Sequence, residues 1–187
     1  MSNRRAFLRV VPLLCMVVPI ICCASTKDES AARRIAIDYS AAFAKRDIDA
    51  MYLMTHPAVK IRLGGREGYR RLLQRLWDAM DSDKVTYTER IGAPSDEFVD
   101  GATRMIGIPV VRNVSNGIMN AYSYVLFSYD SGASWYVFDL SCTDSRWIKA
   151  LAPTWNGSPD VLGDADPGKN PTDATFDVEH FLAGSRK

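Results

Sequence analysis

Two side chains in this sequence combine a proton-transferring type with a place near folded structure. Asp139 ends the run Trp135-Tyr136-Val137-Phe138-Asp139, and His56 is one of only two histidines. A carboxylate or imidazole held in a pocket is the common form of a general acid or base. Each also has a purely structural reading. Strand alternation groups Asp139 with Trp135, Val137 and Ser141, and sets Tyr136, Phe138, Leu140 and Cys142 on the opposite face. The second set is the more apolar, so Asp139 is expected to point outward. His56 precedes Pro57 at a helix end, where histidine serves as a C-terminal cap.

A second group of candidates would bind rather than react. Arg62, Arg66, Arg70, Arg71 and Arg75 concentrate positive charge in one segment. Arg66 and Arg70 are four apart, as are Arg71 and Arg75, so each pair shares a helix face. Such a stripe suits an anionic ligand or an acidic partner. The alternative is a solvated face, with Glu67 supporting Arg71 at the favourable spacing. Tyr122, Tyr124, Phe127, Tyr129, Trp135, Tyr136 and Phe138 crowd onto two adjacent strands. Alternation gives one set to the core and leaves the other as an exposed aromatic surface. Tyr122, Tyr124 and Trp135, with Arg66 and Arg70, are the candidates for ligand or partner contact.

Other chemistries find no support. His56, His180 and Cys142 have no zinc-site spacing, and no metal or cofactor is expected. There is no Ser-His-Asp arrangement, glycine-rich phosphate loop or dinucleotide fingerprint. Ser128-x-Asp130-x-Gly132-x-x-Trp135 matches the Asp-box pattern of sialidase-type propellers. One copy makes no propeller; the motif predicts a hairpin turn capped by the Asp side chain.

The N-terminus reads as a removable leader. Arg4 and Arg5 precede an apolar run from Val10 to Cys23 that Pro12 and Pro19 interrupt, too short for a comfortable membrane span. Small residues at Cys22, Cys23, Ala24 and Ser25 suit cleavage. The segment Asn3-Arg4-Arg5-Ala6-Phe7-Leu8-Arg9 resembles the twin-arginine export motif, with Asn3 where Ser or Thr is preferred. An ordinary secretory leader is the alternative. Cleavage after Ala24 removes Cys15, Cys22 and Cys23 and leaves Cys142 alone, so no intramolecular disulfide is expected. Lipidation of Cys23, giving a membrane-anchored lipoprotein, is a competing reading. Loss of Arg4, Arg5 and Arg9 takes the net charge from +1 to −2, which argues against a nucleic-acid binder.

These candidates need elements to position them. With 47% hydrophobic and 24% charged residues, the chain has the composition of one globular core. A first helix is predicted from about Lys27 to Arg46, with Thr26 and Glu29 at capping-box spacing and Ile35, Tyr39 and Phe43 as its buried stripe. Asp47 is predicted to cap a short second helix ending at His56-Pro57. Val59, Ile61 and Leu63 alternate with Lys60 and Arg62, as in a short strand. A third helix runs from Arg66 to Met80, with Tyr69, Leu72, Leu73, Leu76, Trp77 and Met80 on one face.

Strands follow. Val85, Tyr87, Glu89 and Ile91 share one face of the first, and Phe98-Val99 forms a short one. A longer strand over Thr103–Val114 turns at Asn116-Gly117, where both positions are expected at positive φ. The return strand spans Ile118–Tyr129, and another spans Trp135–Cys142. Beyond Pro153 the crowded Gly, Pro and Asp residues predict an acidic, flexible tail, with one short helix at Phe176–Leu182. Residues 1–25, 26–153 and 154–187 thus divide into leader, domain and tail.

The order of helices and then a one-sided antiparallel meander is an α+β plan. It resembles the NTF2-like superfamily, which includes SnoaL-like and ketosteroid-isomerase-like proteins. The residues that carry the resemblance are Lys45-Arg46-Asp47-Ile48-Asp49-Ala50-Met51, Gly65-Arg66-Glu67-Gly68-Tyr69 and Trp135-Tyr136-Val137-Phe138-Asp139. It covers residues 27–153. The resemblance implies a cone, with three N-terminal helices packed on a curved sheet around a pocket. It also implies a choice of roles, since fold alone does not set activity. The first expectation is a non-catalytic periplasmic protein binding a small molecule or an envelope protein, an immunity-type role included. The second is a small pocket isomerase, dehydratase or hydrolase using His56 or Asp139. The third is an envelope-assembly component, with homodimerisation through the sheet. An ionisable residue facing into the cone favours the second; an apolar cone with an exposed aromatic face favours the first.

Overall fold

The computed structural model describes residues 27–141 and 146–154. The leader with Arg4, Arg5 and Cys23, the Thr26 half of the capping box, Cys142 and the tail lie outside them.

Four helices come before the sheet: α1 (Lys27–Ala44), α2 (Ile48–Met54), α3 (Pro57–Arg62) and α4 (Gly65–Ser82). The stripe of α1 buries Ala32, Ala36, Tyr39, Ala42 and Phe43. Asp47 caps α2, its carboxylate accepting from the Ala50 amide at 3.0 Å. The segment expected as a strand is α3. Pro57 stands at its first turn, where the missing amide costs nothing and the fixed φ is already helical. Val59, Ile61 and Leu63 satisfy a period of two and of four alike. The helix turns Val59 and Leu63 inward and leaves Ile61 80% exposed.

The sheet is antiparallel. Its order is β1 (Tyr87–Ile91), β3 (Thr103–Val114), β4 (Met119–Ser128), β5 (Tyr136–Asp139), and β2 (Phe98–Asp100) pairs with β3 beyond β1. The β3–β4 turn departs from the expected form. Only Gly117 has positive φ, at 86°, and its amide returns to the Val114 carbonyl at 2.9 Å. That is a type I turn closed by a left-handed glycine, and Asn116 keeps ordinary geometry. The turn after β4 behaves as its motif predicts. Ser128 Oγ donates to Asp130 Oδ1, and that oxygen accepts from the Ser134 amide, both at 2.8 Å.

The sheet is covered on both faces rather than one. Tyr39, Phe43, Met51, Tyr69, Leu73 and Trp77 pack on Ile106, Ile108, Val110, Tyr122, Tyr124, Leu126 and Val137. On the far face α5 (Arg146–Leu151) brings Ile148, with Ala152 just beyond it, onto Met105, Val125, Phe127, Phe138 and Leu140. Two covered faces remove the contrast between a wet and a dry side that alternation relies on. The structure is α+β, an open antiparallel sheet with helices on it. No helix among the described residues is long and apolar enough to cross a membrane.

Candidate functional site

Four strands carry polar side chains toward the α1–α2–α4 layer. Glu89 on β1 lies directly opposite Arg112 on β3, and Tyr124 on β4 lies opposite Asp139 on β5. Tyr122 is the diagonal neighbour of Arg112, because Asn120 is its direct partner. Register alone therefore lines up Glu89, Arg112, Tyr122, Tyr124 and Asp139 across the sheet.

Their contacts close a buried network. Arg112 Nε donates to Glu89 Oε1 at 2.7 Å, and Nη2 pairs with the same oxygen. Tyr122 Oη donates to Oε1 at 2.7 Å, Tyr124 Oη donates to Oε2 at 3.3 Å, and Ser40 Oγ also donates to Oε2. Glu89 and Arg112 side chains are 3% and 17% exposed, so the pair is largely out of water. The rings of Phe43, Tyr87 and Tyr122 each lie 5.2 Å from the guanidinium carbon. Burial alone would lower the Arg112 pKa. Tyr122, Glu89 and Asp139 outweigh it and raise the pKa, so the guanidinium stays charged. Burial pushes the phenols of Tyr122 and Tyr124 well above their ordinary value, and both remain neutral donors.

Beside this network is a cavity of about 50 Å³ between helices and sheet. Water needs roughly 10–15 Å³ of such space, so several waters or a small molecule fit. Its walls are mostly apolar, from Phe43, Met51, Leu73 and Val137. Its polar residues are Asp139, Arg112, Thr55, Ser141, Tyr39 and Tyr69. Tyr39 Oη and Tyr69 Oη are 3.3 Å apart, Tyr69 Oη is 2.8 Å from Thr55 Oγ1, and Thr55 Oγ1 donates to the Met51 carbonyl.

Asp139 thus faces inward, against the expectation from alternation. Phe138 and Leu140 are indeed core, but the core beneath α5; Val137 and Asp139 belong to the cavity side. The Ser141 amide donates to Asp139 Oδ1 at 2.8 Å. Burial raises the carboxyl's pKa, while Ser141 and Arg112 pull it back only in part. Because the folded value lies above the unfolded one, the carboxyl stabilises the fold when protonated and loses that contribution as pH rises. Asp139→Asn is therefore expected to raise the melting temperature at neutral pH, with the gain vanishing in acid. Thermal melts at pH 7.5 and 3 check this.

His56 is placed elsewhere, and its role differs from the expected C-terminal cap. It is the N-cap of α3: Nδ1 accepts from the Ala58 amide at 3.1 Å. That fixes the proton on Nε2, which donates to Tyr129 Oη at 2.7 Å. The ring packs on Phe127 and Phe138 and does not line the cavity. Burial, with Lys60 adding to it, lowers its pKa from 6.5 to about 4. The fold favours the neutral ring. Stability is intact above pH 6.5 and is lost as pH falls toward 4, by about 2–3 kcal/mol at pH 4.5. His56→Asn keeps a capping group and is expected to flatten that acid loss, as read by denaturant melts at pH 7.5 and 4.5.

The binding candidates are also relocated. Tyr122, Tyr124 and Trp135 are buried at 1%, 0% and 6% exposure, so they form no exposed aromatic surface. Arg66 and Arg70 lie on the outside of α4 and both reach Asp49 on α2, at 2.6 and 3.8 Å. They are surface ion pairs away from the cavity. Glu89, Arg112, Tyr39, Tyr69 and Thr55 were not among the sequence candidates. A signal existed for the first two: Glu89 alternates with Tyr87 and Ile91, and Arg112 with Ile106, Ile108 and Val110. A charge on an apolar strand face implies a buried partner.

Among the described residues no group of His, Cys, Asp and Glu is placed to hold a metal ion. The chain has no significant match to any family model, curated protein or solved structure.

Proposed function

We propose that this chain is an exported, NTF2-like pocket protein whose cavity takes one small, largely apolar molecule by its polar end. The observation that carries the reading is the inward-facing Asp139 in a largely apolar cavity that the hydroxyls of Tyr39, Tyr69 and Thr55 also line. Apolar walls with a few convergent polar groups and a perturbed carboxyl are the marks of a ligand site. The helix order, the long β3–β4 hairpin and the cavity between helices and sheet support the NTF2-like cone. The parallel bridge of Thr55 to Val137 adds to it by tying the end of α2 to the edge strand. The envelope location rests on the Arg4–Arg5 leader.

The binding mode follows from the charges. Glu89 holds Arg112 in place, so a ligand meets a fixed guanidinium, neutral phenols and the Asp139 carboxyl. The experiment is ligand-observed NMR of the full-length chain against small apolar molecules carrying one polar group. Leu72 is a half-buried residue on the cavity wall, and Leu72→Phe puts a larger side chain there. Leu72→Phe should abolish or weaken the signals, and Asp139→Asn should change which polar groups are preferred. Binding that neither variant changes would refute the site.

The inward carboxyl also favours a second reading, proton transfer. A carboxyl with a raised pKa is closer to the range in which it both accepts and releases a proton at working pH. In that reading Asp139 accepts a proton from the bound molecule and returns it, and Tyr39 and Tyr69 donate to the oxygen that gains charge. Exchange of ligand protons for deuterons by the native chain, and not by Asp139→Asn, separates catalysis from binding.

A further inference from the structure

Resting on the pocket reading above, we propose that the molecule taken by the cavity is a small organic cation, an ammonium group on a short apolar body.

The cavity brings the Asp139 carboxyl together with the rings of Tyr39, Phe43 and Tyr69. A carboxylate beside aromatic rings, in a largely apolar cavity, is the combination that recognises an alkylammonium. The carboxylate supplies a charge-assisted hydrogen bond and the rings supply their negative faces. The other charged group on the wall offers less to an anion. Arg112 is engaged by Glu89 through both Nε and Nη2. An anionic ligand would have to share that guanidinium with Glu89 and sit beside Asp139 as well. The hydroxyls of Tyr39, Tyr69 and Thr55 provide acceptors for the remaining ammonium protons. A volume of about 50 Å³ limits the body to a few carbons unless the mouth opens.

The groups that set the charge at Asp139 come from every element around it. They are Ser141 just after β5, Arg112 on β3, Glu89 on β1, Tyr122 and Tyr124 on β4 and Tyr39 on α1, and Tyr69 on α4 lines the same cavity. Burial raises the Asp139 carboxyl's pKa. Ammonium binding favours its ionised form, so affinity should rise as pH climbs through the Asp139 titration and then level off.

The test uses three probes of one shape and different charge: butylamine, butanol and butyrate. Each is titrated into the full-length chain by saturation-transfer NMR at pH 7.5. Butylamine is expected to bind about tenfold or more tightly than butanol, with no binding of butyrate. Asp139→Asn should remove that preference while leaving butanol binding in place. The pH series on the unaltered chain tests the same point without a variant: butylamine affinity should fall as pH drops through the Asp139 titration, and butanol affinity should not. Equal affinity for butylamine and butanol would overturn the cation and leave the pocket standing. Tightest binding of butyrate would make Arg112 the anchor and overturn it too. Binding of none of the three would count against the pocket reading itself.

Discussion

Glu89→Ala is expected to lose a large share of the domain's stability. The carboxylate accepts from Arg112, Tyr122, Tyr124 and Ser40 at once, and its side chain is 3% exposed. Removing it leaves a buried guanidinium without its counter-charge and three hydroxyls without their acceptor. Breaking one side of a buried pair costs about 3–5 kcal/mol, against a total stability of about 5–15 kcal/mol for a domain. The melting temperature should fall by roughly 10 °C or more. The companion variant separates the ion pair from mere packing. Glu89→Leu combined with Arg112→Met removes both charges and keeps the volume, and it should recover much of the loss. A single Glu89→Ala variant that melts like the native chain would show that the network is not formed.

Gly68→Ala is the second large effect, and its cause is purely steric. A β-carbon at Gly68 would lie 1.5 Å from the Leu63 carbonyl oxygen and 2.7 Å from its carbon. Both atoms are backbone, so no side-chain rotation relieves the overlap. The first turn of α4 would have to move off the end of α3, and Val59, Leu63 and Tyr69 of the cavity wall would move with it. The expected cost is about 3 kcal/mol or more, beyond the ordinary range for a surface helix position. Gly64→Ala is the control. Gly64 has φ of 77° with open space around it, so alanine pays only the left-handed backbone cost of about 1–2 kcal/mol. Paired melts of the two variants should differ clearly; equal losses would mean the close approach at Gly68 is absent.

Much of the frame is legible in the sequence because local chemistry decides it. The stripe of Tyr39 and Phe43 sets α1, the Asp47 carboxylate sets the start of α2, and the Asp130 side chain sets the turn after β4. The β3 strand follows its predicted limits at Thr103 and Val114. What local pattern leaves open is what lies across from a residue. Val59, Ile61 and Leu63 fit two periods, and Pro57 with His56 decides for the helix. The same holds at Asp139. Alternation correctly parts Phe138 from Asp139, but with α5 on the far face both sides of β5 are covered, and which one holds a cavity depends on packing. Arg112 and Glu89 meet only through the β1–β3 register. Each charge on its own strand looks like one polar residue out of place. The aromatic residues were visible as a cluster, but exposure is a property of both layers, and both layers are filled.

A ligand-binding role for the cavity requires Asp139 to be enclosed there, and titration of that one carboxyl checks it. Carbon-13 NMR of the chain labelled at aspartate, with Asp139→Asn to assign the signal, reads it without any assumption about the ligand. The expected midpoint lies above the ordinary 3.8, raised by burial, and shifts toward lower pH when a cation occupies the cavity. A midpoint at or below 3.8 would contradict it, because the carboxylate would then be in water or held by a charge stronger than the burial that surrounds it.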